Sequence, residues 1–63
     1  MTRRQVIKRL QDDGWQIHHT KGDHQQFKHS VKPGKVTVPH PRNDIAIGTL
    51  RSIFRQAGWA WSL

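Results

Sequence analysis

Turn signals built from glycine and proline divide this 63-residue chain into short segments, and their spacing constrains the fold more than any other feature. The signals are Asp13-Gly14, Gly22-Asp23, Pro33-Gly34, Pro39-His40-Pro41 and Gly58. No segment between them approaches the roughly 20 apolar residues of a membrane span. The chain therefore predicts one small domain over residues 1–63 that does not enter a membrane.

Apolar residues at helical spacing mark both ends of the chain. Thr2 and Gln5 fit a capping box, in which each side chain satisfies a free backbone N–H at the start of a helix. Gly14 and Gly58 suit the left-handed position that follows a helix. The expected helices cover about residues 3–13 and 48–57, with a short apolar tail at 59–63.

Alternating apolar and polar residues mark three strands between the helices. A three-residue hairpin loop containing Gly22 is expected to place Ile17 opposite Phe27 and Thr20 opposite His24. The expected strands cover about residues 15–20, 24–31 and 35–39, with a loop at 40–46. The third strand is expected to pair Val36 with Val31 and Val38 with His29.

The resulting order, α-β-β-β-α, predicts an α+β fold with a three-stranded antiparallel sheet and both helices on its apolar face. The other face is expected to be wet and basic, carrying His18, His24, Gln26, Lys28, Lys35 and Thr37. The expected core consists of Val6, Ile7, Leu10, Trp15, Ile17, Phe27, Val31, Val36, Val38, Leu50, Ile53 and Phe54.

Charge indicates the kind of partner. Eleven Lys and Arg against four acidic residues give a formal charge of +7, which predicts a polyanion such as a nucleic acid. The absence of cysteine excludes disulfides, thiolate catalysis and cysteine metal sites. No cofactor is expected, since the glycine fingerprint of a dinucleotide site is missing. Because no signal peptide is recognisable, the expected location is the cytoplasm.

His24 is the candidate catalytic residue. It begins a strand directly after a glycine turn, which would hold its side chain exposed on a rigid element, with Lys21 and Lys28 nearby. An imidazole can take the proton of an RNA 2′-hydroxyl or protonate the leaving 5′-oxygen, and lysines can stabilise the anionic phosphorane. The plain alternative is a solvated surface that keeps a small domain soluble.

The other histidines have ordinary explanations. His19 and His29 are expected at the edge of the apolar face, and His40 is expected to shape a loop. His18 is either a second acid/base group or solvent-exposed. No metal site is expected, because no pair of histidines has the helical spacing of zinc ligands.

Basic residues on the helices also have two interpretations. Arg3, Arg4 and Lys8 would contact an RNA backbone, or they only solvate the helix. Arg51 and Arg55, four residues apart, form either a phosphate clamp or plain surface. The tail residues Trp59, Trp61 and Leu63 would cap the core or form a patch for a partner chain.

Residues 2–59 resemble the HicA family of small toxins from bacterial toxin–antitoxin pairs, by the order and spacing of several motifs. The matching stretches are Asp13-Gly14-Trp15, Lys21-Gly22-Asp23-His24-Gln25-Gln26-Phe27-Lys28-His29, Lys32-Pro33-Gly34-Lys35-Val36-Thr37-Val38-Pro39-His40-Pro41, Ile47-Gly48-Thr49-Leu50-Arg51-Ser52-Ile53 and Ala57-Gly58. The resemblance implies a fold like a double-stranded-RNA-binding domain and a ribonuclease that cuts mRNA and stops translation.

The resemblance also implies a site and a partner. The family's catalytic histidine follows a Gly-Ser pair and corresponds to His24, but here Asp23 replaces the usual Ser and Gln25 replaces a common second His. The Asp23 charge would favour the protonated imidazole or repel the scissile phosphate. The implied partner is a HicB antitoxin that covers His24 and usually carries the domain through which the pair binds operator DNA.

Three functions therefore compete. The leading hypothesis is a metal-independent endoribonuclease toxin in which His24 is general acid/base, with His18, water or the substrate supplying the other proton transfer. The second is a non-catalytic RNA-binding module, which the charge also suits. The third, a DNA-binding regulator, is disfavoured because the whole sheet separates the two helices, leaving no helix-turn-helix.

Overall fold

The protein is described by a computed structural model over residues 1–40 and 43–61. The elements are α1 (Arg3–Asp12), β1 (Trp15–Lys21), β2 (His24–His29), β3 (Lys35–Pro39) and α2 (Ile47–Ala57). The strands form one antiparallel sheet in the order β1-β2-β3, which confirms the predicted α-β-β-β-α layout. Pro41 of the predicted loop and Leu63 of the predicted tail lie outside the described residues.

Local signals in the sequence set both ends of α1 and the C-terminal end of α2, where Gly58 is left-handed. The capping box of α1 is formed: the Gln5 N–H donates to Thr2 Oγ1 at 3.2 Å, and the Thr2 N–H donates to Gln5 Oε1 at 2.8 Å. The chain leaves α1 through Gly14, whose φ of 98° is left-handed and favours glycine. Neither helix is long and apolar enough to cross a membrane, within the part of the chain described.

A single apolar core lies between the sheet and the two helices. Its buried members are Val6, Leu10, Trp15, Phe27, Val36, Val38, Leu50, Ile53, Phe54 and Ala57. Two predicted core residues are wrong: Ile17 is 50% exposed and Val31 is 84% exposed. Ile17 lies on the outer strand of the sheet, and Val31 lies beyond the end of β2.

The β1–β2 hairpin differs from the predicted one in its loop. Its loop has two residues, so Lys21 pairs with His24, where the prediction paired Thr20 with His24. Ile17 nevertheless pairs with Phe27 as expected, because β1 contains an extra residue, His18, between Ile17 and His19. The loop has one residue fewer than predicted and β1 has one residue more, so the pairing before the bulge is unchanged.

The predicted register of β3 is also wrong. Val36 pairs with Phe27 and Val38 with Gln25, because β2 ends at His29. His29 Nδ1 accepts hydrogen bonds from the backbone N–H groups of Val31 and Lys32, both at 3.0 Å, and these bonds turn the chain out of the ladder.

The Asp13 carboxylate links the α1–β1 turn to the segment after α2. Its Oδ2 accepts hydrogen bonds from Lys32 Nζ at 2.6 Å, Trp59 Nε1 at 3.1 Å and Trp15 Nε1 at 3.0 Å. These donors, led by Lys32 and Trp59, lower the pKa of Asp13 to about 2. Trp59 is half-buried against the core, so this part of the tail belongs to the fold.

Candidate active site

His24 stands at the first position of β2, immediately after the two-residue turn Gly22-Asp23. Gly22 has a φ of 57°, and a positive φ at the first loop position is what a type II′ hairpin turn requires. The turn holds Lys21 and His24 directly opposite each other on neighbouring strands. The His24 side chain is 58% exposed, as predicted for a displayed imidazole.

Asp23 contacts the His24 ring. Nδ1 of His24 lies 2.8 Å from Oδ1 of Asp23. A carboxylate at this distance favours the tautomer with its hydrogen on Nδ1, which leaves the lone pair of the neutral ring on Nε2. The backbone oxygen of Asp23 accepts a hydrogen bond from the His40 N–H at 2.7 Å, which ties the turn to the end of β3. The arrangement presents a proton acceptor to solvent.

The open face of the sheet carries three lysines. Side chains of paired residues share a face, so Lys21 lies beside His24, while Lys28 faces Lys35. Lys28 is four residues along the strand from His24, about 13 Å at roughly 3.3 Å per residue. The three ammonium groups form no ion pair within residues 1–40 and 43–61. Lys21 is thus adjacent to the imidazole, and Lys28 belongs to a second basic patch.

The predicted basic residues of α1 divide into two kinds. Arg3 is half-buried, and its guanidinium donates to the backbone oxygen of Pro39 at 2.9 Å and to Gln25 Oε1. These bonds tie the start of β2, beside His24, to the end of β3 from the apolar side of the sheet. Arg4 and Lys8 are exposed, and Lys8 forms a surface ion pair with Asp12 at 3.2 Å. The helix layer, and not the open face, carries both.

Two of the remaining histidines, His18 and His19, lie in places that the alternation does not predict, because β1 contains a bulge. His19 was expected on the apolar face, but the bulge moves it opposite Gln26, on the open face with His24. His18 is the extra residue of the bulge and has no partner in β2. His29 is half-buried and packs its ring edge-on against Trp15, as expected. No three metal-ligating side chains come together among the residues the structure describes.

Comparison with known proteins identifies the family. The family model described as HicA toxin of bacterial toxin–antitoxin matches residues 3–59. The chain belongs to the HicA toxin family. A solved structure described as the HicA3 and HicB3 toxin-antitoxin complex contains a chain 36% identical to this one, with a TM-score of 0.78. The match covers 98% of this chain and 100% of that one, while a comparison with curated proteins found no match.

Proposed function

We propose that this HicA-family chain is a metal-independent endoribonuclease that cleaves messenger RNA and so inhibits translation. The observation that carries the proposal is an exposed His24 ring held by Asp23 and lying across the hairpin from Lys21. This places a proton acceptor and a cation beside each other on a rigid turn. RNA needs no further nucleophile, because it supplies its own 2′-hydroxyl.

The chemistry follows from these groups. Nε2 of His24 accepts the 2′-hydroxyl proton as the 2′-oxygen attacks the neighbouring phosphorus. The Lys21 ammonium stabilises the negative charge that gathers on the non-bridging oxygens. The bond from phosphorus to the 5′-oxygen then breaks, and that oxygen takes up a proton. The products are a 2′,3′-cyclic phosphate and a free 5′-hydroxyl, with no metal ion required.

The second basic patch supports a nucleic-acid substrate. Like charges placed directly opposite in a sheet are destabilising, so the Lys28–Lys35 pair costs the free protein stability. An RNA phosphate between the two ammonium groups would relieve the repulsion. We propose that Lys28 contacts an RNA phosphate next to the one that is cleaved. Arg4 and Lys8 are proposed to contact phosphates farther along the RNA. Arg3 is proposed to act mainly by positioning the strands around His24.

A HicB-type antitoxin is the proposed protein partner. The related HicA3 chain is recorded in a complex with HicB3. A neutral or acidic antitoxin surface would complement the +7 charge and cover His24, excluding RNA. Operator DNA would be bound only indirectly, through the antitoxin. The cytoplasm, where messenger RNA is translated, is the proposed location.

A cleavage assay in EDTA tests the proposal. The purified protein should cut a single-stranded messenger RNA and leave 2′,3′-cyclic phosphate and 5′-hydroxyl ends, and added HicB should stop the reaction. Cleavage that requires a divalent metal would refute the mechanism. Salt-sensitive RNA binding with no cleavage would instead establish the non-catalytic RNA-binding module.

A further inference from the structure

The bulge in β1 determines which side chains of that strand accompany His24. In an uninterrupted strand, His19 and Lys21 would follow Ile17 onto the helix-covered face, because alternate residues share a face. The extra residue His18 reverses the alternation after Ile17. His19 then pairs with Gln26, and Lys21 pairs with His24, so both lie on the open face. Bulges recur beside active sites because they re-aim side chains in this way.

The resulting arrangement groups two imidazoles and one ammonium. His19 is the diagonal neighbour of His24, a separation of about 7–8 Å between backbone positions in an antiparallel pair. Lys21 lies two residues beyond His19 on β1 and directly across from His24. All three side chains are exposed. Imidazoles at this separation can reach opposite sides of a single phosphodiester, with the ammonium between them.

The two histidines differ in their partners. The Asp23 carboxylate, 2.8 Å from Nδ1 of His24, favours a hydrogen on that nitrogen, so the neutral ring offers Nε2 as a base. Among the described residues, His24 has an ion-pair partner in Asp23 and His29 has ring hydrogen bonds, while His19 has neither. A ring without a fixed partner can carry a proton on either nitrogen and give it to a substrate.

We infer that His19 is the general acid of the RNA cleavage proposed above, on which this inference rests. His24 removes the proton from the 2′-hydroxyl, the bond between the 2′-oxygen and phosphorus forms, and the bond to the 5′-oxygen breaks. The imidazolium of His19 gives its proton to that departing oxygen. One proton is taken up and one is released, so the protein only exchanges the protonation states of its two rings.

The test compares His19→Ala with His18→Ala, which removes the neighbouring imidazole from the same strand. Single-turnover cleavage separates the chemical step from RNA binding. Two substrates are used: ordinary RNA, and the same RNA with sulfur replacing the 5′-oxygen at a bond that the wild type cuts. A thiolate leaves without needing a proton, so this substrate bypasses a general acid.

His19→Ala should slow cleavage of ordinary RNA by roughly 10²- to 10⁴-fold with unchanged RNA affinity, while His18→Ala should stay near the wild-type rate. On the sulfur substrate, His19→Ala should regain most of the wild-type rate and His24→Ala should not. His19→Gln, which keeps a polar side chain, should behave like His19→Ala.

Three results would overturn the inference while leaving the proposed ribonuclease intact. They are wild-type rates for His19→Ala, a loss confined to RNA affinity, and a slow rate that sulfur does not restore. A wild-type protein that cuts no RNA at all would instead defeat the proposed function itself. Circular dichroism of each variant shows whether the fold persists.

Discussion

Gly14→Ala is expected to destabilise the protein through two separate effects at one position. Gly14 has a φ of 98°, which strains any residue with a Cβ. A Cβ there would also lie 2.7 Å from Nε2 of His29. That nitrogen donates to the backbone oxygen of Asp13 at 2.7 Å, so the ring cannot move away without breaking this bond.

The magnitude follows from these contacts. Left-handed backbone costs a non-glycine residue about 1–2 kcal/mol. Loss of the His29 hydrogen bond adds about 0.5–1.5 kcal/mol. The free energy of unfolding should therefore fall by about 1.5–3.5 kcal/mol, a large share of the roughly 3–9 kcal/mol expected for a domain of this size.

Gly34→Ala is the matched control. Gly34 also has a positive φ, 81°, but an added Cβ would meet nothing within 4 Å. Gly34→Ala should lower the free energy of unfolding only by the cost of the left-handed backbone, about 1–2 kcal/mol. Urea unfolding followed by tryptophan fluorescence, to which the buried Trp15 contributes, measures both variants. Equal losses in the two variants would refute the proposed role of the His29 ring.

Two further predictions concern charge. The pKa of Asp13 is lowered to about 2, so its stabilisation is present above the unfolded value near 4 and is lost as pH falls through about 2. The urea midpoint of the wild type should fall as the pH is lowered from about 5 to about 2, and Asp13→Asn should make this fall smaller. An equally steep fall in the variant would contradict the assigned contacts of Asp13. Lys28→Gln should raise stability by about 0.2–1 kcal/mol by removing the repulsion with Lys35. It should also reduce the dependence of RNA binding on salt by about 0.7 in log–log slope, as measured by fluorescence anisotropy, and an unchanged slope would exclude a phosphate contact.

The order of elements could be predicted because most of the boundaries carry a local signal. The capping box of Thr2 and Gln5 and the glycine after each helix act within one turn of chain, so the sequence displays them directly. The C-terminal end of β2 and the register of β3 could not be predicted in this way. They depend on the His29 ring, which accepts a hydrogen bond from the Val31 N–H and so ends the strand. The alternation of apolar and polar residues continues through Val31 and therefore predicts a longer strand.

Only the part of the candidate site that depends on local signals could be predicted. His24 follows a glycine turn, so its exposure is a local property. The place of His19 depends on the bulge, which inserts one residue without a glycine or proline to mark it. The burial of Gln25 depends on a hydrogen bond from Arg3, a residue 22 positions away in the chain. Such distant contacts are absent from any pattern within one segment.

The most direct test of the central claim is the single-turnover rate of RNA cleavage in EDTA by the wild type and His24→Ala. A catalytic role of His24 predicts a loss of at least roughly 10²-fold in the variant, with an unchanged circular dichroism spectrum. Cleavage by His24→Ala at the wild-type rate would contradict it.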